Sequence, residues 1–307
     1  MAAYTDEQMS RYLAHIGYGS SLEDARRLAS SNPLDLLTRI QILQMAKVPF
    51  ESVSLHYSLH RTLSLDLDDL FDKIVGHGRG GYCMEVNAFF AAVLRGLGYK
   101  SLVSVGGKVK HGSEYNGWAH MLNLVRIDNK RYAVDVGFGS NGPTYPIPLE
   151  DGYEFVTVAP SRGKLEYRHI DQLTDPDQKV WVYSVKADED AAWREAYMFV
   201  ELEFMPCDFE IMNLHTSTSP RSFFVQTVMC MRTILEDKRE RPIGKMILHR
   251  DYVKQVIGDK SEIIEQLECE QQRVDALAKY FDLVLSKQDQ RAIAGMATEL
   301  NRRSTHA

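Results

Sequence analysis

Cysteine is scarce in this chain and scattered. Cys83, Cys207, Cys230 and Cys269 are the only four in 307 residues, and no two stand in a C-x-x-C pair. Such spacing offers neither a disulfide framework nor a thiolate zinc site, and reduced thiols fit a reducing compartment. Basic charge is not in excess either. The 36 Lys and Arg are outnumbered by 42 Asp and Glu, and they are scattered rather than gathered into an arm, which argues against a nucleic-acid partner. No apolar run approaches the roughly 18 residues a membrane span requires, and residues 1–10 lack a basic start followed by an apolar stretch. The expectation is a cytoplasmic protein with no membrane and no nucleic-acid partner. His56 and His60 stand at i, i+4, but no acidic or third ligand accompanies them, so no metal site is assigned. Internal repeats and low-complexity linkers are also absent.

What is present is an ordinary globular composition, 44% hydrophobic and 25% charged, with enough chain for two or three domains. It is organised around Arg79-Gly80-Gly81-Tyr82-Cys83-Met84-Glu85-Val86-Asn87. Upstream, Leu67, Leu70, Phe71, Ile74 and Val75 recur at helical spacing until Gly76 and Gly78 stop the helix in a left-handed cap. Downstream, Val86, Phe89, Phe90, Val93, Leu94 and Leu97 form a second stripe, closed by Gly98. Cys83 therefore falls at a helix N-terminus, where unpaired N–H groups and the helix dipole favour the thiolate. The plainer reading is a small buried hydrophobe kept for packing. Gly76, Gly78 and Gly81 also match G-x-G-x-x-G. That fingerprint needs a strand before it and an acidic residue about 20 positions on, and here a helix precedes it.

Elsewhere the N-terminal third reads as helices, over 9–16 and from Asn32-Pro33 onward, with Asn32 as N-cap and Leu34, Leu37, Ile40 and Leu43 on one face. From about 100 to 213, short β-rich runs predict a barrel or tightly curled sheet. Within it, 118–125 and 132–138 read as a hairpin around Asp128-Asn129-Lys130. Further on, 223–235 and 245–257 read as two strands, and Asp259 with Glu262 as a capping-box start for a helix carrying Ile263, Ile264 and Leu267. Val274, Leu277, Phe281 and Leu285 carry a helical stripe onward, and the chain after Leu300 is expected to fray.

A thiolate nucleophile needs a base held by a third group, and the hairpin supplies His120 and Asp135. Centred on Asn129, it places Asp135 opposite Asn123, about 10 Å along the strand from His120 at roughly 3.3 Å per residue, so a bulge or another pairing is required. A satisfied strand histidine and a turn-side carboxylate are the plainer reading. The ordered set resembles the arylamine N-acetyltransferase family: Arg79-Gly80-Gly81-Tyr82-Cys83 with Glu85 and Asn87, then His120, then Asp135-Val136-Gly137-Phe138-Gly139. Val48-Pro49-Phe50-Glu51, Asp208-Phe209, Asn213 and Ser222-Phe223-Phe224 extend the likeness over most of the chain.

The resemblance implies an α+β multidomain fold: an N-terminal helical bundle over 1–98, a central β-barrel over 99–213 and a C-terminal α/β lid over 214–307. It implies an acyl-coenzyme A-dependent N-acyltransferase for arylamines or arylhydrazines, working by a ping-pong route through a thioester, with Cys83, His120 and Asp135 as triad. The acyl-CoA co-substrate would be acetyl-CoA or malonyl-CoA, with no metal. Phe50 and Phe138 would line the substrate pocket and Arg79 would pair with Glu51, while Gly117, Arg221 and Ser222 fall where the family contacts coenzyme A. Met84 stands where many members carry an aromatic residue, making the pocket floor more adaptable. Lys108, Lys110 and His111 precede the histidine strand and are candidates to attract a carboxylate-ended acyl group, or to steer the coenzyme's phosphates as a solvated basic loop. A transglutaminase-like enzyme or thiol hydrolase with the same triad is the alternative, and a non-catalytic acyl-CoA sensor would not need all three residues.

Overall fold

The computed structural model describes residues 3–300; the chain beyond Leu300, where fraying was expected, lies outside them. The first helix, α1 (Asp6–Ile16), starts on a reciprocal cap in which Thr5 accepts the Gln8 amide and the Gln8 side chain accepts the Thr5 amide. Ser21 and Asp24 repeat the device for α2 (Leu22–Ser31), a helix not read from the sequence because it buries only Ala25 and so shows no apolar stripe. The third helix, α3 (Pro33–Lys47), begins at the expected place, but the Asn32 side chain makes no capping bond, which leaves Pro33 as its start signal. After β1 (Phe50–Glu51) comes α4 (Leu67–Phe71), which runs into a π-type turn over Asp72–Gly76. Of the two glycines read as its stop, Gly78 takes the left-handed conformation and Gly76 does not. The helix α5 (Cys83–Leu97) then passes through the middle of this bundle, with Phe89, Phe90, Val93 and Leu94 fully buried against Met9, Tyr12, Leu37 and Ile40.

Nine strands follow: β2 (Leu102–His111), β3 (Glu114–Tyr115), β4 (His120–Ile127), β5 (Lys130–Val134), β6 (Ile147–Pro148), β7 (Tyr153–Val156), β8 (Arg162–Arg168), β9 (Val180–Lys186) and β10 (Arg194–Glu203). They pair antiparallel in the order β6-β5-β4-β2-β10-β9-β8-β7, with β3 on β2, in a barrel-like sheet. Leu122, Leu124, Leu165, Tyr183, Tyr197 and Phe199 fill its inside, while Val125 on the other face of β4 packs into the helical core.

The last third holds α6 (Pro206–Thr218), α7 (Phe223–Gln226), β11 (Met229–Leu235), β12 (Pro242–His249), β13 (Tyr252–Ile257), β14 (Lys260–Gln266), α8 (Glu270–Phe281) and α9 (Lys287–Arg291). Three expectations are corrected here. The run 223–235 is a short helix and then a strand. The run 245–257 is two strands, because Arg250 takes a left-handed φ of 56° and turns the chain between His249 and Tyr252. Finally, Ile263 and Ile264 lie on β14 rather than a helix, since Gly258 (φ 59°) and Asp259 form a two-residue hairpin turn between Ile257 and Lys260.

The second sheet runs β1-β11-β12-β13-β14, so its edge strand comes from the first sixth of the chain. One face buries Cys230, Leu248 and Val253 against Val274, Leu277 and Phe281 of α8, and Leu285 joins that core beyond the helix end. The other face turns Phe50, Met229, Met231 and Ile247 toward Cys83 and Met84. Helices, a barrel-like sheet and a second sheet with its own helices make an α+β multidomain fold. Among the described residues no helix is long and apolar enough to cross a membrane.

Candidate active site

Cys83 is the first residue of α5, as its glycine-bounded position predicted, and is almost wholly buried. The loop before it is clamped to β1: Gly81 bridges Phe50 in parallel, the Glu51 amide donates to Gly81 O at 3.0 Å and the Gly81 amide to Pro49 O at 3.3 Å. Gly80 is required there, because a Cβ would stand 1.8 Å from Pro49 O. The expected Arg79–Glu51 pair is present but long, at 3.8 Å; Glu51 spends itself mainly on the backbone amides of Val53 and Gly80. A closer buried pair links Lys73 to Glu85 at 2.6 Å, and Glu85 also accepts from the Tyr82 amide at the start of α5.

His120 opens β4 and Asp135 follows the end of β5. Their Nε2 and Oδ2 atoms are 2.7 Å apart, both fully buried, so the 10 Å separation expected from the sequence is wrong. The turn is the two-residue Asp128-Asn129, with Asp128 at φ 52°, and pairs Ile127 with Lys130 and Asn123 with Val134. Continuing that register sets Asp135 opposite Leu122, one residue nearer than expected and on the same face as His120, since a one-residue slip exchanges faces. No bulge is needed.

Asn87, one turn into α5, fixes the carboxylate. Its Nδ2 donates to Asp135 Oδ1 at 3.0 Å and to Met121 O at 2.7 Å, and its Oδ1 accepts from the Val136 amide at 3.1 Å. Asn123 donates to Asn87 O at 3.0 Å and accepts from Ser104 at 2.7 Å, while the Gly137 amide gives Asp135 Oδ1 a second donor at 2.8 Å. A Cβ on Gly137 would meet Cys83 Cα at 2.7 Å, so only glycine lets the aspartate loop lie on the cysteine helix. The sequence motif contained Asn87 and Gly137 without revealing these contacts.

Burial disfavours charge on His120, but the Asp135 carboxylate and its hydrogen bond, with a smaller contribution from Cys83 nearby, prevail and raise the imidazolium to about 10. Burial likewise pushes Asp135 up, yet His120 and the bonds from Gly137 and Asn87 hold it below the usual carboxylate range. With Nε2 on Asp135, Nδ1 is the ring nitrogen left for the thiol. The Cys83 Sγ also lies 3.6 Å from Ala119 O. A buried thiol thus stands near an imidazole held by a carboxylate, an arrangement that can store a proton close to a sulfur atom.

Phe50 lies in the apolar cluster around Cys83, and the Phe138 ring meets His120 edge-on at 5.2 Å. Phe224 packs on both Phe50 and Tyr82. Its carbonyl and that of Thr227 face His56 Nε2 at 2.9 and 3.2 Å, so that nitrogen carries the proton, while Nδ1 accepts from Thr298 at 3.0 Å. Of the expected coenzyme contacts, Gly117 and Arg221 are exposed and Ser222 is half-buried at the start of α7. Space around Gly117 is open. The basic segment divides: Lys110 is committed to Glu195 at 3.1 Å and to the Tyr115 ring, Lys108 lies over the Trp118 ring, and His111 is exposed. A surface depression of about 280 Å³ on the barrel is lined by Arg126, Lys130 and Arg131, but Glu150 and Glu201 neutralise the latter two and no thiol or histidine borders it.

A family model described as N-acetyltransferase matches residues 33–290. The N-malonyltransferase FDB2 of Fusarium pseudograminearum (strain CS3096) is 37% identical over 280 residues, which cover 85% of this chain and 81% of that one. Arylamine N-acetyltransferase 1 of Mus musculus is 31% identical over 233 residues, 71% of this chain and 75% of that one. Among solved structures, the arylamine N-acetyltransferase of Mycobacterium marinum in complex with CoA superposes with a TM-score of 0.74 at 23% identity, over 92% of this chain and 96% of that one.

Proposed function

The chain belongs to the arylamine N-acetyltransferase family and is an acyltransferase enzyme, and from that premise we propose a ping-pong transfer from an acyl-coenzyme A to an arylamine or arylhydrazine through a thioester on Cys83. The observation that carries the proposal is the buried His120–Asp135 pair, 2.7 Å apart, with Cys83 at the head of α5 among the groups that hold the imidazolium up.

In the first half-reaction the Cys83 thiolate attacks the carbonyl carbon of the donor thioester. The bond to the coenzyme sulfur breaks, and that sulfur leaves with the proton held on His120. In the second, the nitrogen of the acceptor attacks the acyl-enzyme and gives a proton to His120 as the C–N bond forms. The Cys83 sulfur leaves as thiolate, and the ion pair is restored. Dividing one transfer into two replaces a termolecular arrangement by two bimolecular ones. Asp135 orients the imidazole throughout, and Asn87 and Gly137 hold Asp135. Phe50, Phe138 and Phe224 supply an apolar wall suited to an aromatic acceptor. Gly117, Arg221 and Ser222 remain the proposed coenzyme contacts, with Arg221 suited to a phosphate by its fork of donors. The name of the Fusarium relative supports malonyl as donor acyl group.

Intact mass spectrometry after mixing with acetyl-CoA or malonyl-CoA tests the reading. A stoichiometric acyl adduct that maps to Cys83 and disappears in Cys83→Ser is expected. No adduct with any acyl-CoA, or an adduct on Cys207, Cys230 or Cys269, refutes it.

A further inference from the structure

On β12, the lysine at 245 faces the same way as the wall that surrounds the thiol. Phe50 pairs with Met231 and Met231 with Ile247, so these three form one row across the sheet, on the face packed against Cys83 and Met84. Side chains two residues apart share a face. The adjacent row, Thr233 with Lys245, therefore continues the same wall. Lys245 Nζ donates to the carbonyl of Ser140, in the turn that follows Phe138. Gly139 of that turn lies against Phe50, where a Cβ would stand 3.0 Å from the ring. The ammonium thus sits where the two walls carrying Phe50 and Phe138 meet.

Its charge has no counterpart. Among the described residues Lys245 forms no ion pair, and burial alone pushes its ammonium down to about 8. One of its three donors is used on Ser140, leaving two donors and a full charge in a half-buried position. A cation partly withdrawn from water without an anion is costly, and a carboxylate within reach relieves that cost. Lys110, by contrast, already has Glu195.

Building on the acyl-transfer reading above, we propose that Lys245 recognises the terminal carboxylate of a carboxyl-ended acyl group, malonyl being the shortest practical donor, as that group is delivered to Cys83. The same residue disfavours acetyl only by lacking a partner in it, so selection appears as a gain for malonyl rather than a loss for acetyl.

The test is kcat/KM with acetyl-CoA and malonyl-CoA for wild type, Lys245→Met, Lys245→Gln and Lys108→Ala. Lys245→Met should cut the malonyl-to-acetyl ratio by about ten- to a hundredfold, the size of a charge-assisted hydrogen bond, while acetyl transfer stays within about threefold. Lys245→Gln, which keeps a donor for Ser140 O without the charge, should show the same loss of ratio, and it serves if the methionine variant does not fold. Lys108→Ala should leave the ratio unchanged. If both donors slow equally in the Lys245 variants, or the wild type itself does not prefer malonyl, the lysine is only a tether for the 139–141 turn and the proposal is wrong. Failure of the acyl-transfer reading is separate: it would show as no covalent adduct from either donor.

Discussion

Asp135→Asn is the most informative single change, because the surroundings dictate how the new amide must sit. Two donors, Asn87 Nδ2 at 3.0 Å and the Gly137 amide at 2.8 Å, converge on Oδ1 of residue 135. The asparagine oxygen must occupy that place, which turns its NH₂ toward His120 Nε2, now 2.7 Å from a carboxylate oxygen. An NH₂ donor forces Nε2 to be the acceptor. The ring proton of a neutral His120 then moves to Nδ1, facing Cys83, and the thiol loses its base. The substitution is isosteric, so the fold should survive while acylation falls by roughly 10⁴-fold, the scale of a triad locked in the wrong tautomer. Stability changes with a defined pH pattern. His120 is raised from 6.5 to about 10, so its contribution is complete below pH 6.5 and is lost as pH rises through about 10. Asp135 is lowered from 3.8, so its contribution is present above pH 3.8 and lost as pH falls below it. The gap in denaturant midpoint between wild type and Asp135→Asn should therefore be widest between about pH 4 and 6.5 and close toward pH 10. Single-turnover acylation followed by quenched mass spectrometry, with iodoacetamide labelling of Cys83 at pH 7, reads the chemical effect. A variant that acylates within tenfold of wild type would refute the tautomer argument, and with it the role given to Asp135.

Asn87→Ala should cost about 2–6 kcal/mol in urea unfolding, since it leaves the Val136 amide and the Met121 carbonyl buried without partners at about 1–3 kcal/mol each. Gly137→Ala should lower stability by about 1–3 kcal/mol and slow acylation, because the added methyl pushes the aspartate loop off Cys83 Cα; calorimetry and adduct formation rate check it. Lys73→Met, which strands the buried Glu85 at the head of α5, should cost about 3–5 kcal/mol by chemical denaturation, and a loss below 1 kcal/mol would show that the pair contributes little.

Much of the site was legible because it is built from local punctuation. Gly76 and Gly78 after one apolar helical stripe, and a second stripe from Val86 to Leu97, announce Cys83 at a helix start, and the order of the cysteine, histidine and aspartate motifs does the rest. Asn87 and Gly137 stood in those motifs, but their roles depend on α5 crossing the aspartate loop, which no local pattern encodes. Helix α2 and the short helix α7 bury too little to show an apolar stripe, whereas the other failures share one cause. Three hairpins turn on two residues whose first member has positive φ: Asp128, Arg250 and Gly258. A turn centred on Asn129 instead of between Asp128 and Asn129 slips the register by one residue, which puts His120 and Asp135 on opposite faces. Arg250 carries no turn signal at all, since arginine is uncommon there. At Gly258-Asp259 the acid was read as a helix cap, although Gly-Asp between β-branched runs is itself a hairpin signal. Lys245 escaped notice because an isolated lysine in a strand looks solvated until its neighbours are known.

The clamp of β1 between the cysteine loop and β11 has a consequence for when the enzyme can first work. Pro49 and Glu51 bond Gly81 on one side, Phe50 and Glu51 pair with Met231 and Cys230 on the other, and Ser52 bonds across 175 residues to Thr227. A nascent chain carries Cys83, His120 and Asp135 once Asp135 has been made, yet the strand that backs the Cys83 loop waits for β11. Closing so long a loop costs entropy that only the completed second sheet offsets. Acylation of chains stalled on the ribosome should therefore be absent after Asp135 has emerged and should appear only after β11 and β12 have, making the birth of reactivity a late event in synthesis.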